Sequence, residues 1–485
     1  VSVFRNLSSS IKIEMSTINQ TTSLSETASW KALFIGGNGI KAIALALGVM
    51  LHATNIYLAT TVMPSIIEEI GGLEYYAWNT TLFVVASIIG SVISANRLSL
   101  LGPRKAYQTA IILFFLGSLC CAFAPSMYIL LMGRFIQGLG GGLLFALSYA
   151  MVRIVFDKRL WSRAMALISG MWGIAAFSGP FIGGIFAEND QWRWAFGSLL
   201  VICILIFIIS SIILPVHKSK NNAPLIPYLK LVLLVLAVLS VSIGSILENI
   251  IANVSGVILA LLLLYILMVA EKKNSVRLLP TGAYKLSSPL GTTYAIMTLL
   301  TIATSIEIFV PYFAQIINGF SPLKSGYLTV LIAFGWTFSS LLFSGVKTSS
   351  VAKIIRFGAV FMLVGLVGLT WIAGTNNHST SLFLILNCLF LFLIGVGIGM
   401  GWPHLLTSVF SMAPKGEEEL ASASVTTVQL MATAFGAAIA GLVSNMGGIT
   451  EPGGIIGAQN ASLLLYGVFS IAPLLAIALL LKKNK

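Results

Sequence analysis

Charged residues are scarce in this 485-residue chain. Asp, Glu, Lys and Arg make up 9% of it, against 57% apolar residues and a mean hydropathy of +0.97. A soluble globular domain carries about a quarter charged residues, so that class is excluded. Cysteine is also rare. Cys120, Cys121, Cys203 and Cys388 sit inside apolar runs without metal-site spacing, which marks them as packing residues and argues against a metal centre. No Walker loop is present, which argues against direct ATP drive, and no extramembrane stretch is long enough for a catalytic domain, so an enzyme and a bound cofactor are not expected. Acids are the scarcer sign, 15 against 28 bases, for a net charge of +13. In a soluble chain that excess would suggest nucleic acid; in a polytopic one it sets orientation.

What is there is apolar length. At about 20 residues per span, the apolar fraction supports roughly 12 to 14 spans. Polar breaks place helices at about 42–65, 79–98, 106–124, 128–152, 164–187 and 195–214, then about 227–247 and 252–270, then about 290–312, 325–345, 354–373, 381–404, 420–443 and 462–481. The expected organisation is therefore a disordered cytoplasmic tail over 1–41, a six-helix bundle over 42–215, two extra transmembrane helices with a cytoplasmic linker over 216–289, and a second six-helix bundle over 290–485. No secretory signal opens the tail, and Met15 is an alternative start. Charge tests the count of 14. With the tail inside, 25 of the 28 bases fall in inside segments, Arg193 and Lys324 fall outside, and Arg134 is left within a helix. Dropping one helix would invert every later loop, so both termini are expected in the cytoplasm, with the chain in the inner membrane of the cell.

Three motifs carry chemistry. YILLMGRFIQGLGGGLLFA puts Arg134 and Gln137 in the fourth helix beside Gly133, Gly138, Gly140, Gly141 and Gly142. A buried cation at that depth usually faces a bundle interior or a water-filled cavity, while the glycines allow close helix approach. The fifth helix carries GIAAFSGPFIGGIFA, with Gly173, Gly179, Pro180, Gly183 and Gly184 as a bend and a packing face. Gly395, Gly397, Gly399 and Gly401 form overlapping GxxxG pairs that read as helix packing.

Together these segments resemble the major facilitator superfamily. GRFIQGLG is similar to the motif of its fourth helix, GIAAFSGPFIGG to the fifth-helix motif of its antiporters, and QWRWAF (Gln191 to Phe196) to the hallmark of its 14-helix drug:proton antiporter branch. ATTVMPSIIEEIGG, GFSPLKSGYL and VQLMATAFGAAIAG extend the likeness over nearly the whole chain after the tail. The resemblance implies an all-α polytopic membrane fold, two six-helix bundles plus two extra helices, with alternating access and export driven by inward proton flow. Two positions depart from the pattern. Asn55 stands where the branch usually has an Asp in the first helix, and Ser99 stands where it has an Asp before Gly102 and Arg104, which weakens the family's cytoplasmic charge latch.

With no Asp in the first helix, another group has to carry the proton. Glu307 lies inside the ninth helix four residues before Pro311, either as a proton carrier or as an acid paired near the outer interface. His52 sits one turn before Asn55 on the same face, as a titrating or a structural histidine. Glu307, Arg134 and His52 are the proton-coupling candidates. Asn55, Tyr57, Gln137, Trp172, Tyr312 and Trp336 are the candidates to line a substrate cavity, the aromatics either stacking on a flat or cationic compound or simply packing. Glu248 is expected at a solvated turn, and Glu417, Glu418 and Glu419 on a solvated face. The expected function is proton-coupled export of drugs or other small organic molecules. The alternatives are export of one endogenous metabolite, such as a siderophore or other organic anion, and a non-transporting membrane sensor. The expected partners are a small-molecule substrate, protons and the lipid bilayer, without nucleic acid.

Overall fold

The computed structural model describes residues 30–216, 224–247, 249–273, 276–374 and 381–482, and among these every regular element is helical. Hydrocarbon offers no partner to a backbone N–H or C=O, and a helix satisfies both internally. Among the described residues, thirteen helices are long and apolar enough to cross a membrane. One of them, Leu73–Ala122, has 50 residues, about 75 Å at 1.5 Å per residue, more than twice a hydrocarbon core. It is divided at Gly102, whose φ of 74° only glycine adopts without strain, followed by Pro103. Fourteen spans result, as expected. Of the disordered tail expected over 1–41, the part before residue 30 lies outside the described residues, as does Glu248, and the rest is corrected: Trp30–Phe34 is helical and the first span begins at Asn38.

In chain order α1 is Asn38–Ile70, Trp78–Ala122 supplies α2 before Gly102 and α3 after it, and α4 is Met127–Val155. α5 is Trp161–Glu188, α6 Trp192–Ile213, α7 Tyr228–Ile246 and α8 Ile250–Lys273. The last six are α9 Pro289–Asn318, α10 Pro322–Phe343, α11 Val351–Ala373, α12 Ser381–Ser411, α13 Glu418–Met446 and α14 Gly454–Lys482. Several spans outrun the apolar runs that announced them. Lys41, Glu68 and Glu69 lie inside α1, and Arg193 and Lys324 lie in the first turns of α6 and α10 rather than in loops. The end of the molecule that carries 97–105 and 412–417 is called the near end, and the end that carries 71–77 and 319–321 the far end.

The fourth span of each half is wedged in the same way. In α4, Gly138 and Gly142 lie against the carbonyls of Phe83 and Ser87 in α2, and Gly140 lies against the backbone of Phe114 in α3. In α12, Gly395 and Gly399 lie against the carbonyls of Ile332 and Trp336 in α10, and Gly397 lies against Gly358 in α11. The second and third spans of each half thus pack on a glycine face of the fourth. Such close approach suits a membrane interior, where van der Waals contact rather than water expulsion drives helix association. Internal repetition of this kind is common in transporter folds.

α7 and α8 form a hairpin whose helices cross at Gly244 and Gly256. At its near end Lys230 Nζ meets Glu271 Oε1 at 2.7 Å with both side chains 3% exposed. Lys230 also donates to the Val276 carbonyl. The Glu271 carboxylate accepts from the backbone of Leu278 at 3.0 Å and of Leu279 at 3.3 Å. The linker that follows is pinned by Glu417, which accepts from Thr281 N at 2.6 Å, Thr281 Oγ1 at 2.7 Å and Arg277 Nη1 at 3.1 Å. This corrects the expectation that Glu417 is solvated. The Thr281 backbone and hydroxyl, then Arg277, hold the Glu417 carboxyl below its ordinary pKa. Because that value is depressed on folding, the clamp is at full strength at neutral pH and is lost only as pH falls through the lowered pKa.

Removing one member of a buried ion pair leaves the other charge uncompensated, at a cost of about 3 to 5 kcal/mol, whereas neutralising both is far cheaper. Lys230→Met should therefore lower the thermal stability of the detergent-solubilised protein sharply, and Lys230→Met with Glu271→Gln should recover most of the loss. Equal melting temperatures for the single variant and the native chain would show that the pair holds nothing.

Candidate functional site

Arg134 is 1% exposed and reaches three helices. Its Nη1 donates to Asn55 Oδ1 of α1 at 3.0 Å and to Gln137 Oε1 one turn along α4 at 2.5 Å, and its Nε donates to the Asn79 carbonyl of α2 at 3.2 Å. The guanidinium also lies over Phe83, 4.3 Å from the ring centre, a cation–π contact strengthened by the loss of water. Gln137 Nε2 in turn donates to Ser118 Oγ of α3 at 2.8 Å. Among the described residues no carboxylate pairs with Arg134. Asn55 occupies the place expected for an Asp and satisfies the cation by hydrogen bonding without cancelling its charge.

His52, one turn before Asn55, is held between Phe83 and Phe145 at centroid distances of 5.3 and 5.2 Å, with Trp172 edge-on at 6.3 Å. Gly141 makes room for the ring, its Cα facing His52 Nδ1. Neither ring nitrogen has a hydrogen-bond partner, nor do Asn55 Nδ2 and Asn79 Oδ1. Buried polar atoms without partners are costly. These four lie on or beside the residues that surround the buried cation.

The second charge sits in the other half. Pro311 has no N–H to give the carbonyl of Glu307, four residues back, so α9 is interrupted. Residues Ser305–Ile308 form a single 3-10 turn between Pro289–Thr304 and Val310–Asn318. Glu307 lies in that turn, half-buried, and makes no ion pair or hydrogen bond among the described residues. Gly436 of α13 packs on Ser305 in the same turn.

Immediately after the turn, Phe309 stacks on Tyr76 with centroids 4.7 Å apart and planes at 23°, and Tyr76 meets Tyr312 edge-on at 5.3 Å. Tyr76 belongs to the first half and its partners to the second. Around this stack Gly326 lies against Thr61 and Pro180, Gly184 against Leu323, and Gly441 against Ala77. Asn445 Nδ2 donates to the Glu74 carbonyl at 3.4 Å. Among the described residues, the hydrogen bond and ring contacts that join the first six spans to the last six lie at this far end. Tyr76 escaped sequence analysis because an aromatic in a turn carries no periodic signal.

The structure brings the sequence candidates together in two groups. Arg134, Asn55, Gln137, His52 and Trp172 gather in the first half, while Tyr312, in the same span α9 that carries Glu307, meets Tyr76 of the first half, and Tyr57 lies against Gly179 of α5. Trp336 belongs to neither; it packs edge-on against Trp402 at 5.2 Å within the second half. Gly133 lies against Cys121, Gly179 against Tyr57 and Thr54, and Gly183 against Leu58, as packing positions do. Gly173 does not: a side chain there would meet open space. Arg104 donates from Nε to the Leu214 carbonyl at the end of α6 at 2.8 Å. The WRW segment is a clasp. Glu69 Oε2 accepts from Trp192 Nε1 at 2.6 Å and Glu69 Oε1 from Arg193 Nη1 at 2.5 Å, while Arg193 Nη2 donates to the Ala124 carbonyl at 3.1 Å. A separate cleft in the second half, lined in part by Phe313, Asn318, Asn387, Ser462 and Tyr466, contains none of the sequence candidates.

Comparison with known proteins agrees with this architecture. Residues 45–441 match the family model described as Major Facilitator Superfamily. The chain is 34% identical over 466 residues to a probable multidrug-efflux transporter of Mycobacterium tuberculosis (strain ATCC 25618 / H37Rv), covering 94% of this chain and 97% of that protein. It is 22% identical to multidrug resistance protein 3 of Bacillus subtilis (strain 168), covering 67% of this chain and 65% of that protein. Among solved structures, a POT family transporter in complex with 5-aminolevulinic acid aligns with a TM-score of 0.67 at 14% identity, over 92% of this chain and 96% of that one. A D-xylose–proton symporter aligns with a TM-score of 0.64 at 14% identity, over 92% and 98%.

Because the Tyr76 hydroxyl has no partner among the described residues, its own part in the far-end contact is made by its ring. In a chain lacking the four native cysteines, Ser325→Cys, a buried position beside Gly326, should resist a membrane-impermeant maleimide. Adding Tyr76→Ala should make it reactive, while Tyr76→Phe should leave it protected. Equal labelling in all three would remove Tyr76 from the closure.

Proposed function

We propose that this chain, which belongs to the major facilitator superfamily, is a secondary transporter that exports drugs or similar small organic molecules in exchange for protons, with Glu307 as the group that binds and releases the proton. It is a multi-pass membrane protein. In this reading the near end faces the cytoplasm and the membrane is the inner one. The bases Arg97, Arg104, Lys105, Arg153, Arg159, Lys347, Lys353 and Lys415, all toward the near end, favour that orientation. The two halves then meet at the outer side, the inward-facing state that loads cargo for export.

The observation that carries the coupling is the isolation of Glu307. A carboxylate within a membrane span is expensive unless paired, and this one has no ion-pair partner among the described residues and sits in a broken turn of α9. Binding a proton or a cationic cargo there relieves the same cost. The two therefore compete for one site, and competition is what exchange requires.

The same geometry bears on cargo charge. Arg134 is closed off behind Phe83, Asn55 and Gln137, so the charge left at the seam is negative. Neutral and cationic compounds fit it better than a siderophore or other organic anion. A non-transporting sensor has no particular feature in its favour. Glu307→Gln should abolish ethidium efflux driven by a pH gradient in proteoliposomes while leaving ethidium counterflow measurable. Undiminished gradient-driven efflux would remove Glu307 from the mechanism.

A further inference from the structure

The hairpin α7–α8 stands in sequence between two halves that must move relative to one another. Its polar ties are unequal. At the near end its linker is held by the Glu417 clamp to Arg277 and Thr281, and Glu417 is the residue from which α13 starts. At the far end Asn445, near the end of α13, donates from Nδ2 to the Ser245 carbonyl of α7 at 2.9 Å. Between these two points α7 packs along α13. The buried Lys230–Glu271 pair makes the hairpin and the start of the linker one piece, because Lys230 is in α7, Glu271 in α8, and both also bind the linker backbone. Toward the first six spans, α7 also touches the segment Trp78–Ala122. There the polar tie is Asn96 Nδ2 to the carbonyl of Pro224, at 2.9 Å, in the non-helical stretch before α7.

We propose that the hairpin is a fixed part of the second half, bound along α13 at both ends by Glu417 and Asn445, and that it travels with that half when the far end opens. Building on the transport reading, this says which interfaces slide and which do not. Asn445 marks the boundary: one amide nitrogen serves the Ser245 carbonyl of the hairpin at 2.9 Å and the Glu74 carbonyl of the first half at 3.4 Å. The bond to Glu74 breaks in each cycle, and the bond to Ser245 persists. Glu417 and Asn445 are positioning residues in this scheme and touch no cargo.

The test joins Asn445 to each neighbour in turn. In a chain with Cys120, Cys121, Cys203 and Cys388 replaced, and first shown to drive ethidium efflux as the native chain does, two cysteine pairs are closed by a short thiol cross-linker. They are Ser245→Cys with Asn445→Cys, and Glu74→Cys with Asn445→Cys. Closing the first pair should leave efflux within about twofold of the open form, and closing the second should reduce it by at least about tenfold, reversibly on reduction, because only the second spans a moving interface. Thr281→Cys with Glu417→Cys supplies the same reading at the near end, where closure should again be tolerated. A loss on closing the Ser245 or Thr281 pair as deep as that on closing the Glu74 pair would overturn the proposal. A native chain that moves no ethidium would instead contradict the transport reading, before any cross-link is made.

Discussion

A charge placed where water is absent must find its compensation inside the protein, and this chain meets that constraint in three ways. Lys230 and Glu271 neutralise one another and spend their remaining hydrogen bonds on the linker backbone. Arg134 keeps its charge but is dispersed over two side-chain amides, a carbonyl and the face of Phe83. Glu307 has none of these among the described residues, and it stands in the turn of α9 whose hydrogen bonding Pro311 has already interrupted. The first solution gives a joint and the second an anchored core. The third leaves a group whose energy changes with whatever binds it.

The rest of the architecture follows from how closely helices can approach without water to drive them together. Glycine faces on α4 and α12 let the second and third spans of each half lie against the fourth. At the seam, Gly184 and Gly326 allow the halves themselves to meet at the far end. There the rings of Tyr76 and Phe309 stack beside one long hydrogen bond, Asn445 to the Glu74 carbonyl at 3.4 Å, and their separation leaves no charge behind. An interface that has to open repeatedly is better built from such contacts than from buried ion pairs, whose rupture is costly.

Much of this was legible in the sequence, for identifiable reasons. Span number and grouping followed from apolar length and the placement of bases, and the depth of Arg134 and Glu307 followed from the runs around them. Gln137 was within reach because it lies one turn from Arg134. Asn55 was seen as a missing proton site but not as the acceptor for Arg134, since the pairing of α1 with α4 is a tertiary fact. The Glu417 clamp joins residues 136 to 140 positions apart, so a run of acids near a helix start looked merely solvated. For Trp336 and Gly173 the sequence left the surroundings open. An aromatic in a span and a glycine in a motif have the right composition wherever they face, and only packing showed that one belongs to the second half alone and the other to open space.

The central claim is that cargo and proton compete for Glu307. The most direct measurement is of protons released when ethidium is added to the purified protein in weakly buffered detergent solution. The account predicts release by the native chain near neutral pH and none by Glu307→Gln, with ethidium binding retained. Equal proton release by both, or binding without release by the native chain, would contradict it.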